Sequence, residues 1–155
     1  MNYAEELNEL LTTVVRENAS DLHLSEGRHP TVRINGSLLP LVKKNVLSHD
    51  DIAGLLTVMI GQERETKFTN TKEFDFSYKF GDIARFRGNA FVQQGLYGVA
   101  LRLIPKQIRS LEELNLPPML ETFARKKQGF FLVVGPVGQG KTTTLASMIE
   151  MINQE

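Results

Sequence analysis

Two neighbouring stretches alternate apolar and polar side chains with a period of two, and that pattern limits this part of the chain to half-buried strands. In EFDFSYKF, Phe74, Phe76, Tyr78 and Phe80 share one face, and Asp75, Ser77 and Lys79 share the other. RFRGNAFVQQGLYGVALRLI follows, and Gln94-Gly95 within it reads as a two-residue hairpin loop. This register gathers Phe86, Gly88, Ala90, Val92, Tyr97, Val99, Leu101 and Leu103 on one face. Arg85, Arg87, Asn89, Gln93 and Arg102 fall on the other, with Phe91 and Leu96 as apolar exceptions. A one-residue slip would mix the faces, so the clean separation supports the register.

In that register Arg87 lies directly opposite Arg102. Like charges so placed are unfavourable by a few tenths of a kcal/mol or more, and something should compensate. One candidate is an internal acid: a three-residue loop after Phe80 can bring Asp75 beside Arg87. The other is an external anion, because paired guanidinium groups suit a phosphate.

The flanking segments are also legible. Leu7, Leu10, Leu11, Val14 and Val15 recur at helical spacing and predict an amphipathic helix from about Tyr3 to Glu17. DLHLS (Asp21 to Ser25) alternates as a half-buried strand, and TVRING (Thr31 to Gly36) reads as a strand ending in an Asn-Gly turn. Ser48 is placed as the N-cap of a helix that buries Ile52, Leu55, Leu56, Met59 and Ile60, and a short helix is expected from Gln62 to about Phe68. Asp50 and Asp51 favour the helix N-terminus by their charge. Pro105 to Pro118 reads as a linker with a helical piece near Leu111 to Leu114, and a helix is expected from about Pro118 to Lys126. GFFLVVG (Gly129 to Gly135) is continuously apolar and predicts a fully buried strand. A last helix from near Lys141 should bury Leu145, Met148, Ile149 and Ile152.

Composition excludes several classes. The 155 residues carry no net charge, so no electrostatic footprint for nucleic acid appears at whole-chain level. There is no cysteine, which removes disulfides and thiolate metal sites and fits a reducing compartment. The start, MNYAEEL, is acidic and lacks the apolar stretch of a signal peptide, and FFLVV is far too short to span a bilayer. A cytoplasmic location is expected. His23, His29 and His49 show no ligand spacing, and His23 reads as a hydrogen-bonded structural histidine.

GPVGQGKTTT (Gly135 to Thr144) satisfies G-x-x-x-x-G-K-[ST] at every specified position, a match that arises by chance on the order of once in a few hundred chains of this length. The dinucleotide pattern G-x-G-x-x-G fails at its last position, Thr143. The expected nucleotide-binding residues are therefore Gly135, Pro136, Val137, Gly138, Gln139, Gly140, Lys141, Thr142 and Thr143. Glycines let successive N–H groups point at phosphate oxygens, and the helix N-terminus adds unpaired donors. Lys141 should reach the β- and γ-phosphates of ATP, and the Thr142 hydroxyl should bind Mg²⁺. Hydrolysis needs a further carboxylate on a neighbouring strand, and only thirteen residues follow Thr142.

ASDLHLS, VRINGSLLPL, EFDFSY, RFRGNAF, LRLIP, LEELNLPPML and GPVGQGKTTTLASMIEMIN, spread over nearly the whole chain, resemble the type IV pilus and type II secretion ATPases, and most closely their pilus-retraction (twitching motility) branch. The resemblance implies an α+β PAS-like N-terminal domain (residues 1–104), a linker (105–118) and the first strand, P-loop and helix of an incomplete α/β RecA-like ATPase domain (119–155). It implies a homohexamer with ATP between the domains, partners in the pilus platform of the inner membrane, and a place at the cytoplasmic face of that membrane. It also implies that Arg87 and Arg102 sense the phosphates. Val137 and Gln139 stand where relatives often carry Thr and Ser, which removes a hydroxyl but keeps the backbone cradle, and the arginine common near Gly95 is missing. The expected function is the ATP-binding part of a retraction motor. The alternatives are a pilus-assembly or type II secretion ATPase, or a non-catalytic assembly or regulatory module, and negligible hydrolysis by this chain alone is expected.

Overall fold

Tight turns with positive backbone φ angles set the register of the sheet. A computed structural model of the chain describes residues 2–105, 108–136 and 138–154. Asn35-Gly36 (φ 49° and 83°) and Gln94-Gly95 (φ 54° and 82°) adopt the left-handed pair of angles that two-residue hairpins require. The chain forms α1 (Tyr3–Arg16), β1 (Asp21–Ser25), β2 (Thr31–Ile34), β3 (Ser37–Pro40), α2 (His49–Ile60), α3 (Gln62–Thr71), β4 (Glu73–Phe80), β5 (Ala84–Gln93), β6 (Leu96–Ile104), α4 (Met119–Ala124) and α5 (Lys141–Asn153). Two compact units divide it, Met1–Lys106 and Gln107–Glu155.

The first unit is one six-stranded sheet in the order β3-β2-β1-β6-β5-β4, antiparallel throughout. Its core lies on one face. Leu7, Leu10, Leu11 and Val14 of α1 and Ile52, Leu55 and Leu56 of α2 are buried with Leu22, Leu24, Phe86, Val99 and Leu101 of the strands. Alternation does this: the even-numbered residues of β1 and the odd-numbered residues of β6 reach the same side. The opposite face carries the polar and charged side chains, among them the exposed Arg102 and the largely buried Asp21. Gly54 lets α1 approach α2, for a Cβ there would lie 2.2 Å from the Tyr3 ring.

Local chemistry ends the helices where expected. Ser48 caps α2 in a capping box, accepting from the Asp51 N–H while the Asp51 carboxylate accepts from the Ser48 N–H. Asp51 thus acts through hydrogen bonds as well as through its charge. Helix α3 runs three residues past Phe68 and ends at Lys72, which adopts the left-handed conformation (φ 61°).

Between β4 and β5 the register places Ser77, not Asp75, opposite Arg87. Asp75 faces Asn89 and accepts from its Nδ2 at 3.3 Å. The three-residue loop after Phe80 forms, with Phe80 paired to Ala84, but it leaves Asp75 two residue pairs from Arg87, so the candidate Asp75–Arg87 ion pair is not made.

In the second unit the expected buried strand at Gly129–Gly135 is absent. Those residues form no ladder, and Phe130, Leu132 and Val134 are largely exposed, Phe130 at 89%. A strand needs partners for its N–H and C=O groups, and no other described segment of the unit is extended beside it. The first strand of the expected α/β domain is thus missing, although the loop and the helix after it are present. Helix α5 correspondingly buries Met148 and Ser147, while Leu145, Ile149 and Ile152 remain exposed. Helix α4 is shorter than expected, and residues 111–115 form turns, with Ser110 and Glu113 exchanging side-chain and backbone hydrogen bonds.

Candidate functional site

Two constellations carry chemistry, one in each unit. In the second unit, Gly138 (φ 84°) and Gly140 (φ 78°) take left-handed angles immediately before α5, which begins at Lys141. A side chain at either glycine would strain the backbone, so the loop is built for glycine. Gly140 is the N-cap and supplies no side-chain acceptor, so the first N–H groups of α5 lack a side-chain cap. Lys141 folds back and its Nζ donates to the Pro136 carbonyl, which lays the ammonium across the loop. Gly135, Pro136, Gly138, Gln139, Thr142 and Thr143 are exposed along this turn, and Val137 lies outside the described residues. Ring-forming glycines, an uncapped helix start and one ammonium are the donor set that a phosphate chain requires. Thr142 is the one expected Mg²⁺ ligand, and among the described residues no group of three His, Cys, Asp or Glu side chains gathers as a metal site.

In the first unit, the open face of the sheet brings Arg87 and Arg102 directly opposite one another on β5 and β6. Strand β1 joins β6 on its other side and sets Asp21 opposite Arg102. Asp21 Oδ1 accepts from Arg102 Nε at 3.0 Å, and Oδ2 lies 3.5 Å from Arg33 Nε. Ser20 Oγ donates to the same carboxylate at 2.8 Å. Burial alone would raise the Asp21 carboxyl, but the Ser20 hydroxyl and the Arg102 guanidinium outweigh it and hold it below the usual aspartate range. The compensating internal acid is thus Asp21, and it serves Arg102. Among the described residues the Arg87 side chain has no hydrogen-bond or ion-pair partner.

A cleft of ≈ 230 Å³ opens between these side chains over Ala100, walled by Asp21 and His23 on one side and by Asp75, Arg87 and Asn89 on the other, with Arg102 at its end. His23 departs from its expected role: its Nε2 is buried and has no hydrogen-bond partner. Burial lowers the imidazole pKa more than the neighbouring Asp21 raises it, and the charges of Arg33 and Arg102 lower it further, so His23 sits below the ordinary histidine value. Sequence reasoning missed Asp21. Its only local signal was a place on the polar face of DLHLS, and its partner lies 81 residues away.

Residues 2–155 match the family described as type II/IV secretion system protein. The type IV pilus retractation ATPase PilT of Pseudomonas aeruginosa is 34% identical over 148 residues, covering 96% of this chain and 43% of that protein. The type IV pilus ATPase PilU of the same organism is 37% identical over 149 residues, covering 96% of this chain and 39% of that protein. Among solved structures, a crystal structure of the pilus retraction motor PilT with bound ADP superposes with a TM-score of 0.77 at 35% identity, covering 94% of this chain and 43% of that one. The chain therefore spans less than half the length of these relatives. By sequence over nearly its whole length and by fold, it belongs to the type II/IV secretion system protein family.

Proposed function

We propose that the chain is the ATP-binding part of a hexameric motor ATPase that drives type IV pilus retraction. The observation that carries this reading is the turn from Gly138 to Lys141, where left-handed glycines lead into an uncapped helix start beside one ammonium group. Those residues suit a nucleotide's phosphate chain, and the related structure carries ADP. In this reading the N–H groups of residues 138–142 hold the phosphates, and Lys141 exchanges the Pro136 carbonyl for the β- and γ-phosphates. Thr142 contributes a hydroxyl to Mg²⁺, which neutralises phosphate charge when bound. Arg87 and Arg102 of the first unit, which is PAS-like, recognise phosphate, and the second unit carries the P-loop and helix of a RecA-like domain. Homohexamers, platform proteins of the inner membrane and a cytoplasmic location at that membrane complete the proposal. No helix among the described residues is long and apolar enough to cross a membrane.

A second reading is a non-catalytic assembly or regulatory module. The unformed strand at Gly129–Gly135 favours it for the chain by itself, because the loop is then carried on a segment with no strand ladder. Neither reading assigns a carboxylate to the Mg²⁺ water shell, so negligible hydrolysis by the chain alone is expected. Calorimetric titration with MgATP tests the proposal. Saturable binding that weakens about tenfold or more in Lys141→Ala supports it. Equal binding by both proteins, or no uptake by either, overturns it.

A further inference from the structure

A single row of side chains crosses five strands on the open face of the sheet. From β2 to β4 it reads Arg33, Asp21, Arg102, Arg87, Ser77. Charges alternate along it except at Arg102 and Arg87, where two cations meet. Asp21 is the pivot, giving one oxygen to each flanking arginine. Its side chain is 11% exposed, whereas that of Arg102 is 73% exposed. The carboxylate grips Arg102 by Nε alone, and the terminal amino groups of Arg102 make no other hydrogen bond or ion pair among the described residues. A guanidinium offers five donors in a planar fork. Held at Nε, it still presents both terminal amino groups to a second, bidentate acceptor.

We infer that Asp21 is a positioning residue for anion recognition: it fixes Arg102 by Nε so that its amino edge stands beside the unpaired Arg87 and faces a phosphate anion. The inference rests on the phosphate role proposed for these arginines and adds an unequal division of labour. Arg87 supplies an uncommitted charge, and Arg102 supplies a direction. A long exposed side chain loses rotamer freedom when a ligand immobilises it, and prior anchoring reduces that loss on binding. Unaided electrostatics makes the opposite demand, since a carboxylate beside an anion site repels the anion. The two effects are separable because Asn retains the acceptor oxygen without the charge, and Ala retains neither.

The test uses inorganic tripolyphosphate at low salt, in the Lys141→Ala background so that the glycine loop does not dominate, read by NMR shifts of β5 and β6 amides. Asp21→Asn should bind at least as tightly as the Asp21 parent, while Asp21→Ala should bind about fivefold more weakly despite its more positive face. Arg102→Lys, which keeps an ion pair with Asp21 but has no amino edge, should weaken binding by a similar factor and covers the case in which Asp21→Ala does not fold. Asp21→Ala binding as tightly as Asp21→Asn, or Arg102→Lys binding as tightly as the parent, overturns the positioning role. Arg87→Ala separates the two layers. If it leaves binding unchanged, the arginine–phosphate reading fails and this inference with it. If it weakens binding while Asp21→Ala does not, only the role of Asp21 fails.

Discussion

Arg87 and Arg102 face each other across β5 and β6, yet a carboxylate holds only Arg102. Removing either arginine relieves the same like-charge pair, but the consequences differ. Arg87→Ala should leave stability within about 0.5 kcal/mol of the parent or slightly above it. Arg102→Ala leaves the largely buried Asp21 with only the more distant Arg33 as a charged partner, and should cost about 1–3 kcal/mol. Urea denaturation of the two variants gives the comparison, and equal losses would contradict the asymmetry.

Acidification should destabilise the fold in two stages. His23, Asp21 and Asp51 all have folded pKa values below their ordinary ones. For Asp51 the Ser48 hydroxyl is the leading cause, followed by the Ser48 N–H. Each group binds protons more readily in the unfolded chain, so stability rises with pH across its titration. The contribution is full above the unfolded value and is lost as pH falls through the folded one. The His23 stage should begin below about pH 6.5 and the aspartate stage below about pH 4. Urea midpoints measured from pH 7 to pH 3 should flatten in the first stage for His23→Asn and in the second for Asp51→Asn. A midpoint that rises on acidification would refute the assignment.

Gly88 is required by close packing. A Cβ there would lie 2.3 Å from the Phe76 ring, which covers it across β4 and β5. Gly88→Ala should cost about 1–3 kcal/mol by overpacking. Adding Phe76→Leu should recover part of that loss, measurable as a thermal midpoint that is higher in the double variant than in Gly88→Ala.

Amide exchange should divide the two apolar regions of the chain. Leu22, Leu24, Val99 and Leu101 lie in paired strands with side chains 0–1% exposed, and their amides should exchange slowly. Residues 129–135 have no ladder, and in a monomeric sample their amides should exchange within the fastest class. Slow exchange there would reveal a strand partner and overturn the unpaired description.

The local features of this protein were legible from the amino-acid order. The amphipathic spacing of α1, the Ser48 cap, the Asn35-Gly36 and Gln94-Gly95 turns and the facing of Arg87 and Arg102 all depend on residues near one another along the chain or joined by a tight turn. Periodicity, capping and turn geometry act over such distances, so each left a readable signal. The family resemblance was legible for a related reason, since its motifs are short and ordered along the chain.

Only the tertiary structure decided which strands far apart in the sequence became neighbours. Placing β1 against β6 joined Asp21 to a residue 81 positions away, and nothing in DLHLS encodes that distance. The same limit explains the error at Gly129–Gly135. Apolar continuity says that a segment would be stable if buried between partners, but the partners must come from elsewhere, and among the described residues none does. Side-chain pattern is a property of a segment by itself, whereas a strand and an ion pair each exist only between two segments, and that is where the sequence ceased to be sufficient.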